Sequence, residues 1–259
     1  GEAERIVSAV EAEVERRHGK LPPVTGEMPV AGRAASLAMV ARVLLHRYRR
    51  RSAVGLALMV AQAFFYNAIF FTYSLVLTRF HHVPEGRVGL YVFPFALANV
   101  LGPLLLGPLF DRIGRRRMMA FTYTSAGLGL ALSGWAFVQE WLDARSQAWC
   151  WSAVFFLASA AASSAYLTVS EVFPLEMRAM AIAIFYAVGT GLGGFAGPAL
   201  FGELIGTGSP AAVAAGYAAA ASLMMLAGIG ALRLGVDAER RSLEEIAPPL
   251  GAEADVPPR

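Results

Sequence analysis

Six runs of mostly apolar residues, each about twenty or more long, dominate this chain: about 53–78, 88–109, 118–138, 148–169, 179–203 and 211–234. Coiled as an α-helix, a run of this length crosses the hydrocarbon core of a bilayer; a barrel strand needs half as many residues. In hydrocarbon the backbone must satisfy its own hydrogen bonds, and these runs show no strand alternation, so helices are the expected solution. The chain reads as an all-α membrane protein with six transmembrane helices. Charge follows the same division. Of 22 basic and 19 acidic residues, 16 fall between Ser52 and Gly235, and the rest crowd into the flanks. We therefore divide the chain into a loop with short amphipathic helices (1–51), a six-helix bundle (52–235) and a polar tail (236–259).

Composition removes several classes. A chain that is 56% hydrophobic and 16% charged falls short of the roughly 25% charge of soluble domains, which argues against one aqueous core. The single cysteine, Cys150, leaves no disulfide scaffold. The net charge of +3 comes from short arginine clusters without interleaved aromatics, unlike a nucleic-acid surface. The first twenty residues are too charged for a signal-peptide core. Nothing in the sequence implies a cofactor or a metal.

Residues 2–18 read as an amphipathic helix with Ile6, Val7, Val10 and Val14 on one stripe, acids early and Arg16, Arg17 and His18 late. Residues 21–33 read as a Pro- and Gly-rich linker, and 34–47 as a second short helix. Twelve arginines fall on one side of the spans: Arg47, Arg49, Arg50, Arg51, Arg112, Arg115, Arg116, Arg117, Arg178, Arg233, Arg240 and Arg241. Three, namely Arg79, Arg87 and Arg145, fall on the other. Basic loops stay cytoplasmic, which places both termini in the cytoplasm. The tail reads as a helix running into disorder.

The sharpest motif is Gly107-Pro-Leu-Phe-Asp111-Arg112-Ile-Gly114-Arg115-Arg116-Arg117, between the second and third spans. Gly107 and Gly114 suit a tight turn between close helices, and the arginines suit an anionic membrane surface. Two spans later stands Glu171-Val-Phe-Pro174-Leu-Glu176-Met-Arg178. Asp111, Glu171 and Glu176 share a membrane face with Arg112, Arg115, Arg116, Arg117 and Arg178. Ion pairs among them can latch one conformation and release another, or cap helix ends statically. Inside the spans, Gln62, Tyr66 and Tyr73 form one stripe of the first helix and Asn67 a second, about 100° away; Asn99 stands in the second span. Polar groups in a span face a cavity or another helix. Gly189, Gly193 and Gly197 recur every four residues, a spacing that admits close helix approach. Pro94, Pro103 and Pro198 interrupt helical hydrogen bonding and permit bends.

The Gly107–Arg117 string resembles the loop motif of the major facilitator superfamily, and Glu171–Arg178 resembles the corresponding loop of its sugar-porter branch. The tail AERRSLEEI is similar to that branch as well, so the resemblance covers residues 52 to about 246 and implies the C-terminal half of a twelve-helix transporter. It implies substrate contacts at Gln62, Asn67 and Asn99, with Ala61 replacing a first Gln. The sequence departs from sugar porters at Ala160-Ala-Ala-Ser-Ser-Ala-Tyr166, where Tyr166 stands for a Trp, and at Gly189 and Gly193, which replace an Asn pair. The implied solute is sugar-like or a carboxylated or aromatic metabolite, with Tyr166 and Tyr186 able to stack on it. The implied activity is alternating-access transport across the inner or plasma membrane, proton-coupled. The titrating carboxylate would lie in the missing N-terminal six-helix half, since no charge lies deep in these spans. The implied partners are membrane lipids, the small-molecule solute and that half. Alternatives are a non-transporting receptor or scaffold on the same fold, or an intramembrane enzyme. The enzyme reading is opposed by four histidines that all lie outside the spans and by the lack of G-x-S-x-G; no P-loop motif is present.

Overall fold

The computed structural model describes residues 1–20, 36–236, 243–248 and 250. Among the described residues every regular element is helical. The linker at 21–33, Arg240 and Arg241, and most of the tail lie outside them. Helix α1 spans Glu2–His18, with its apolar stripe of Ile6, Val7 and Val10 exposed. Helix α2 (Leu37–Arg42) starts at Ser36, whose hydroxyl accepts from the Met39 N–H, and continues into a π-helical stretch, Val43–Arg47.

All six apolar runs are helical. The first is α3 (Arg49–Phe70) and α4 (Tyr73–Arg79), broken at Phe71 and Thr72. The next three are α5 (Val88–Ile113), α6 (Arg115–Val138) and α7 (Ala144–Glu171). The fifth run divides into α8 (Leu175–Gly189), a π-helical turn at Thr190–Gly194, and α9 (Phe195–Gly206). Helix α10 (Pro210–Leu234) is capped by the Ser209 hydroxyl, and a last short turn, α11, covers Leu243–Ile246. Helix α5 runs unbroken through Pro94, Pro103 and Pro108. The breaks fall elsewhere, at Thr72, whose hydroxyl bonds back to the Ala68 carbonyl, and at the glycine-rich turn of 190–194.

Among the described residues five segments are long and apolar enough to cross a membrane: Arg49–Arg79, Glu85–Ile113, Ala144–Glu171, Leu175–Gly206 and Pro210–Leu234. Helix α6 is long enough, at 24 residues, but its apolar character is diluted by Thr122, Tyr123, Thr124, Ser125 and Ser133. All of these hydroxyls but that of Ser125 bond to backbone carbonyls. Thr122 donates to the Met118 carbonyl at 2.9 Å, Ser133 to Leu130 at 2.9 Å, and Tyr123 to Leu58 on α3 at 3.1 Å. A helix whose polar groups are satisfied this way has a lower mean hydropathy without exposing polarity to its surroundings.

Small residues set the helix spacing. A methyl on Gly127 of α6 would stand 2.8 Å from the Ala221 carbonyl of α10, and one on Gly228 2.7 Å from Tyr123. Gly102 of α5 meets α7 still more closely, 2.1 Å from both the Phe156 carbonyl and the Ser159 hydroxyl. Such contacts let backbones approach where lipid supplies no hydrophobic drive for association. The outward surface is apolar: Leu90, Phe93, Leu97 and Leu104 on α5, Phe195 and Leu200 on α9. In water this would be a very large exposed apolar patch; lipid or further apolar helices would cover it.

The two ends of the bundle differ. Arg51 at the start of α3 donates to the Val172 carbonyl after α7, and Arg116 at the start of α6 to Leu232 near the end of α10. Together with the Arg115–Glu171 pair, these contacts gather the arginine-rich turns at one end. At the opposite end Phe80 and His81 stack on Phe137, near Asp143, the N-cap of α7.

Candidate functional site

Near the middle of the Arg49–Arg79, Glu85–Ile113 and Ala144–Glu171 segments the side chains of Tyr66, Asn99 and Phe155 meet. The Tyr66 hydroxyl donates to Asn99 Oδ1 at 2.6 Å, and the Tyr66 ring lies 4.7 Å from that of Phe155. Ser159 of α7 is also against the Tyr66 hydroxyl. With its carbonyl engaged, the Asn99 amide keeps two N–H donors for another partner. A second tier lies nearer the arginine end, where the Tyr166 phenol interacts with Gln62 and its ring lies 6.0 Å from that of Tyr186. Gln62 is buried, Tyr66, Asn99 and Tyr166 are half-buried, and Tyr186 is exposed. No Asp, Glu, Lys or Arg occurs within 52–78, 88–110, 146–170 or 179–202, so this face offers amides, hydroxyls and rings, and no formal charge.

Two other sequence-level candidates are placed differently. Tyr73 is buried, its hydroxyl on the Tyr91 carbonyl at 2.7 Å and its ring 4.8 Å from Trp151 and 5.2 Å from Phe95. That packing ties α4 to α5 and α7. Asn67 donates to the Ala63 carbonyl of its own helix at 2.6 Å and lies beside Gly194 and Gly197. The three spaced glycines lie along α3. A methyl group added to each would stand 2.9 Å from Met59 Cβ at Gly189, 2.5 Å from the Val60 carbonyl at Gly193, and 3.1 Å from the Ala68 amide at Gly197.

At the arginine end, one guanidinium does most of the pairing. Arg115 is ion-paired to Glu171 at the end of α7 and lies 3.3 Å from Asp111 of α5. The turn between α5 and α6 is made by Gly114 alone, at φ +105°, a conformation L side chains disfavour. Gly107 lies inside α5 with open space beside it. Arg116 and Arg178 both donate to backbone carbonyls. Arg116 Nε donates to Leu232 at 3.2 Å, and Arg178 to the Phe173 carbonyl from Nε at 3.4 Å and Nη2 at 3.3 Å. Pro174 caps the start of α8, Glu176 accepts from the Leu250 amide at 3.1 Å, and Arg112 is exposed. A small cavity of about 170 Å³, lined by Gly107, Asp111, Arg115, Ser163 and Thr168 among others, opens beside this cluster.

Gly102, Phe155 and Ser159 are not marked by the sequence. Gly102 precedes Pro103 and reads as part of a kink, which masks its packing against α7; Phe155 and Ser159 sit in an apolar run with nothing to mark their direction.

A helical bundle with exposed apolar surfaces, an arginine-rich end and an uncharged polar cluster at mid-length defines a multi-pass membrane protein. A family model described as Major Facilitator Superfamily matches residues 54–253. The chain belongs to the major facilitator superfamily, a family of membrane transporters. No curated protein matches it.

Proposed function

We propose that the chain is the C-terminal half of a secondary transporter similar to the sugar-porter branch, carrying a small organic solute by alternating access. The observation that carries this reading is the Tyr66–Asn99 hydrogen bond with Phe155 and Ser159 around it. It is a polar, uncharged cluster at mid-depth, where transporters of this architecture bind their solutes between two helical halves. The two aromatic tiers favour a solute with a ring or a flat face, and the amides favour hydroxyl or carbonyl groups on it. Any carboxylate on the solute would find its cation in the other half.

In this reading α6 is the sixth crossing. It joins the arginine end, where α5 stops, to the opposite end, where α7 begins. The arginine end is cytoplasmic, as the positive-inside rule requires. The other six-helix half would cover the least buried helices: of their most apolar stretches, 17% is buried in the α5 segment and 22% in α8–α9, against 61% in α7. The Arg115 cluster would hold the cytoplasmic ends together in one state and part in the other. Proton coupling would reside in that second half.

The test is counterflow in proteoliposomes with the chain assembled with its second half, across sugars, polyols, aromatic and carboxylated metabolites. Exchange of at least one solute, lost in Asn99→Ala, is expected. Binding without exchange for every solute would instead favour a receptor.

A further inference from the structure

The arginine end carries a second concavity, remote from the Tyr66–Asn99 face. Val40 and Leu44 of the α2 segment are buried, and the Ser52 hydroxyl of α3 donates to the Leu44 carbonyl at 2.9 Å, pinning that segment against the start of α3. Between them and α8 lies a groove of about 400 Å³ lined by Leu44, Leu45, Ala53, Ile184 and Val188, with Arg49 as its one charged residue. Its walls run from the charged end of α3 toward the apolar interior of the bundle.

The α2–α3 wall of its mouth is one-sided in charge. From Ser36 to Leu58 the sequence holds Arg42, His46, Arg47, Arg49, Arg50 and Arg51, and no carboxylate. Arg51 is engaged by the Val172 and Ile246 carbonyls, and Arg47 stands over the Tyr48 ring at 5.6 Å. Arg49 is exposed and makes no hydrogen bond or ion pair among the described residues. An apolar slot that ends on a guanidinium has the polarity of a phospholipid, with a chain below and an anion above.

We propose that this groove binds one anionic glycerophospholipid, an acyl chain lying along Leu44, Ala53, Ile184 and Val188 and the phosphate on Arg49. The lipid would bridge the α2 segment and α3 to α8, so its occupancy would stiffen the contact between the first and fifth apolar runs. The inference needs the chain to be a membrane protein and is independent of any solute it carries.

The test is native mass spectrometry of the full 259-residue chain in detergent, titrated with phosphatidylglycerol, phosphatidylcholine or soluble glycerol 3-phosphate. One phosphatidylglycerol should be retained in preference to phosphatidylcholine, and glycerol 3-phosphate should not displace it. Arg49→Gln should weaken retention about five-fold, the effect of one cation near a membrane surface, and Arg49→Lys should keep most of it. Ala53→Phe, which fills the slot, should remove it, whereas Arg50→Gln should matter far less than Arg49→Gln. Equal retention of the two lipids, displacement by glycerol 3-phosphate, equal losses at Arg49 and Arg50, or no effect of Ala53→Phe would each overturn the proposal.

Discussion

Arg115 and Glu171 join the start of α6 to the end of α7, and both are largely shielded, at 19% and 17% side-chain exposure. The same guanidinium meets Asp111 across the Gly114 turn, but Asp111 is 68% exposed. The two carboxylates should therefore differ sharply. Removing one partner of a buried pair costs about 3–5 kcal/mol and an exposed pair contributes about 0–1 kcal/mol. Glu171→Gln should thus lower unfolding stability in detergent by about 2 kcal/mol, and Asp111→Asn by less than about 0.5 kcal/mol. Hydrogen exchange across 111–118 and 168–175 should rise in the first variant and hardly change in the second.

Glycine substitutions separate packing from flexibility. A methyl at Gly193 meets the backbone of α3 at 2.5 and 2.6 Å, and at Gly102 the Phe156 carbonyl at 2.1 Å, while at Gly191 it meets nothing within 4 Å. Gly193→Ala and Gly102→Ala should each cost about 1–3 kcal/mol through forced helix separation. Gly191→Ala should be neutral or mildly stabilising. Thermal unfolding of the three variants, compared side by side, checks the ordering.

Two tyrosines on one stripe of the first apolar run should behave in opposite ways. Tyr73 spends its hydroxyl on the Tyr91 carbonyl inside an aromatic cluster, so Tyr73→Phe should cost about 1 kcal/mol of stability and leave solute affinity unchanged. Tyr66→Phe frees the Asn99 carbonyl at the half-open face. It should weaken solute binding about ten-fold, the effect of one lost hydrogen bond to a polar partner, with little change in stability. Binding titrations and melting curves on both variants separate the roles.

The end opposite the arginines carries a pH-sensitive contact. His81 stacks on Phe137 at 5.7 Å, and burial lowers its pKa below the ordinary 6.5, against the opposing pull of Asp143 and alongside a smaller lowering by His82. Below that ordinary value the unfolded chain takes up a proton that the folded chain refuses, so stability falls as pH drops from about 6.5 toward the folded pKa. Asp143 is held lower than a usual carboxylate by hydrogen bonds from Ser146 and stays ionised through this window. The melting temperature should fall between about pH 7.5 and pH 5.5, and His81→Gln should flatten that slope.

Helix positions were legible because apolar run length is a one-dimensional property: each of the six runs is helical. The break at Phe71–Thr72 was not, because it depends on a threonine hydroxyl bonding backward, which composition does not mark. Helix α6 falls short of the other five segments in apolar character because Thr122, Tyr123, Thr124, Ser125 and Ser133 dilute it, and a sequence count does not see that four of these hydroxyls bond internally. The motif residues Asp111, Arg115 and Glu171 do meet, and Arg116 and Arg178 also donate to backbone carbonyls, contacts that turn on helix-end geometry. Tyr66 and Tyr73 share a helical stripe in the sequence, but the chain breaks between them, which sends one to the open face and the other into the core.

The most direct test of the account is two-sided thiol labelling of Asn99→Cys in a Cys150→Ser background, with the chain assembled with the N-terminal half proposed for it in sealed membranes. Alternating access predicts that a membrane-impermeant reagent reaches residue 99 from either side, with Glu171→Gln shifting reactivity toward the arginine-rich side. Labelling confined to one side, unaltered by Glu171→Gln or by any transported solute, would contradict it.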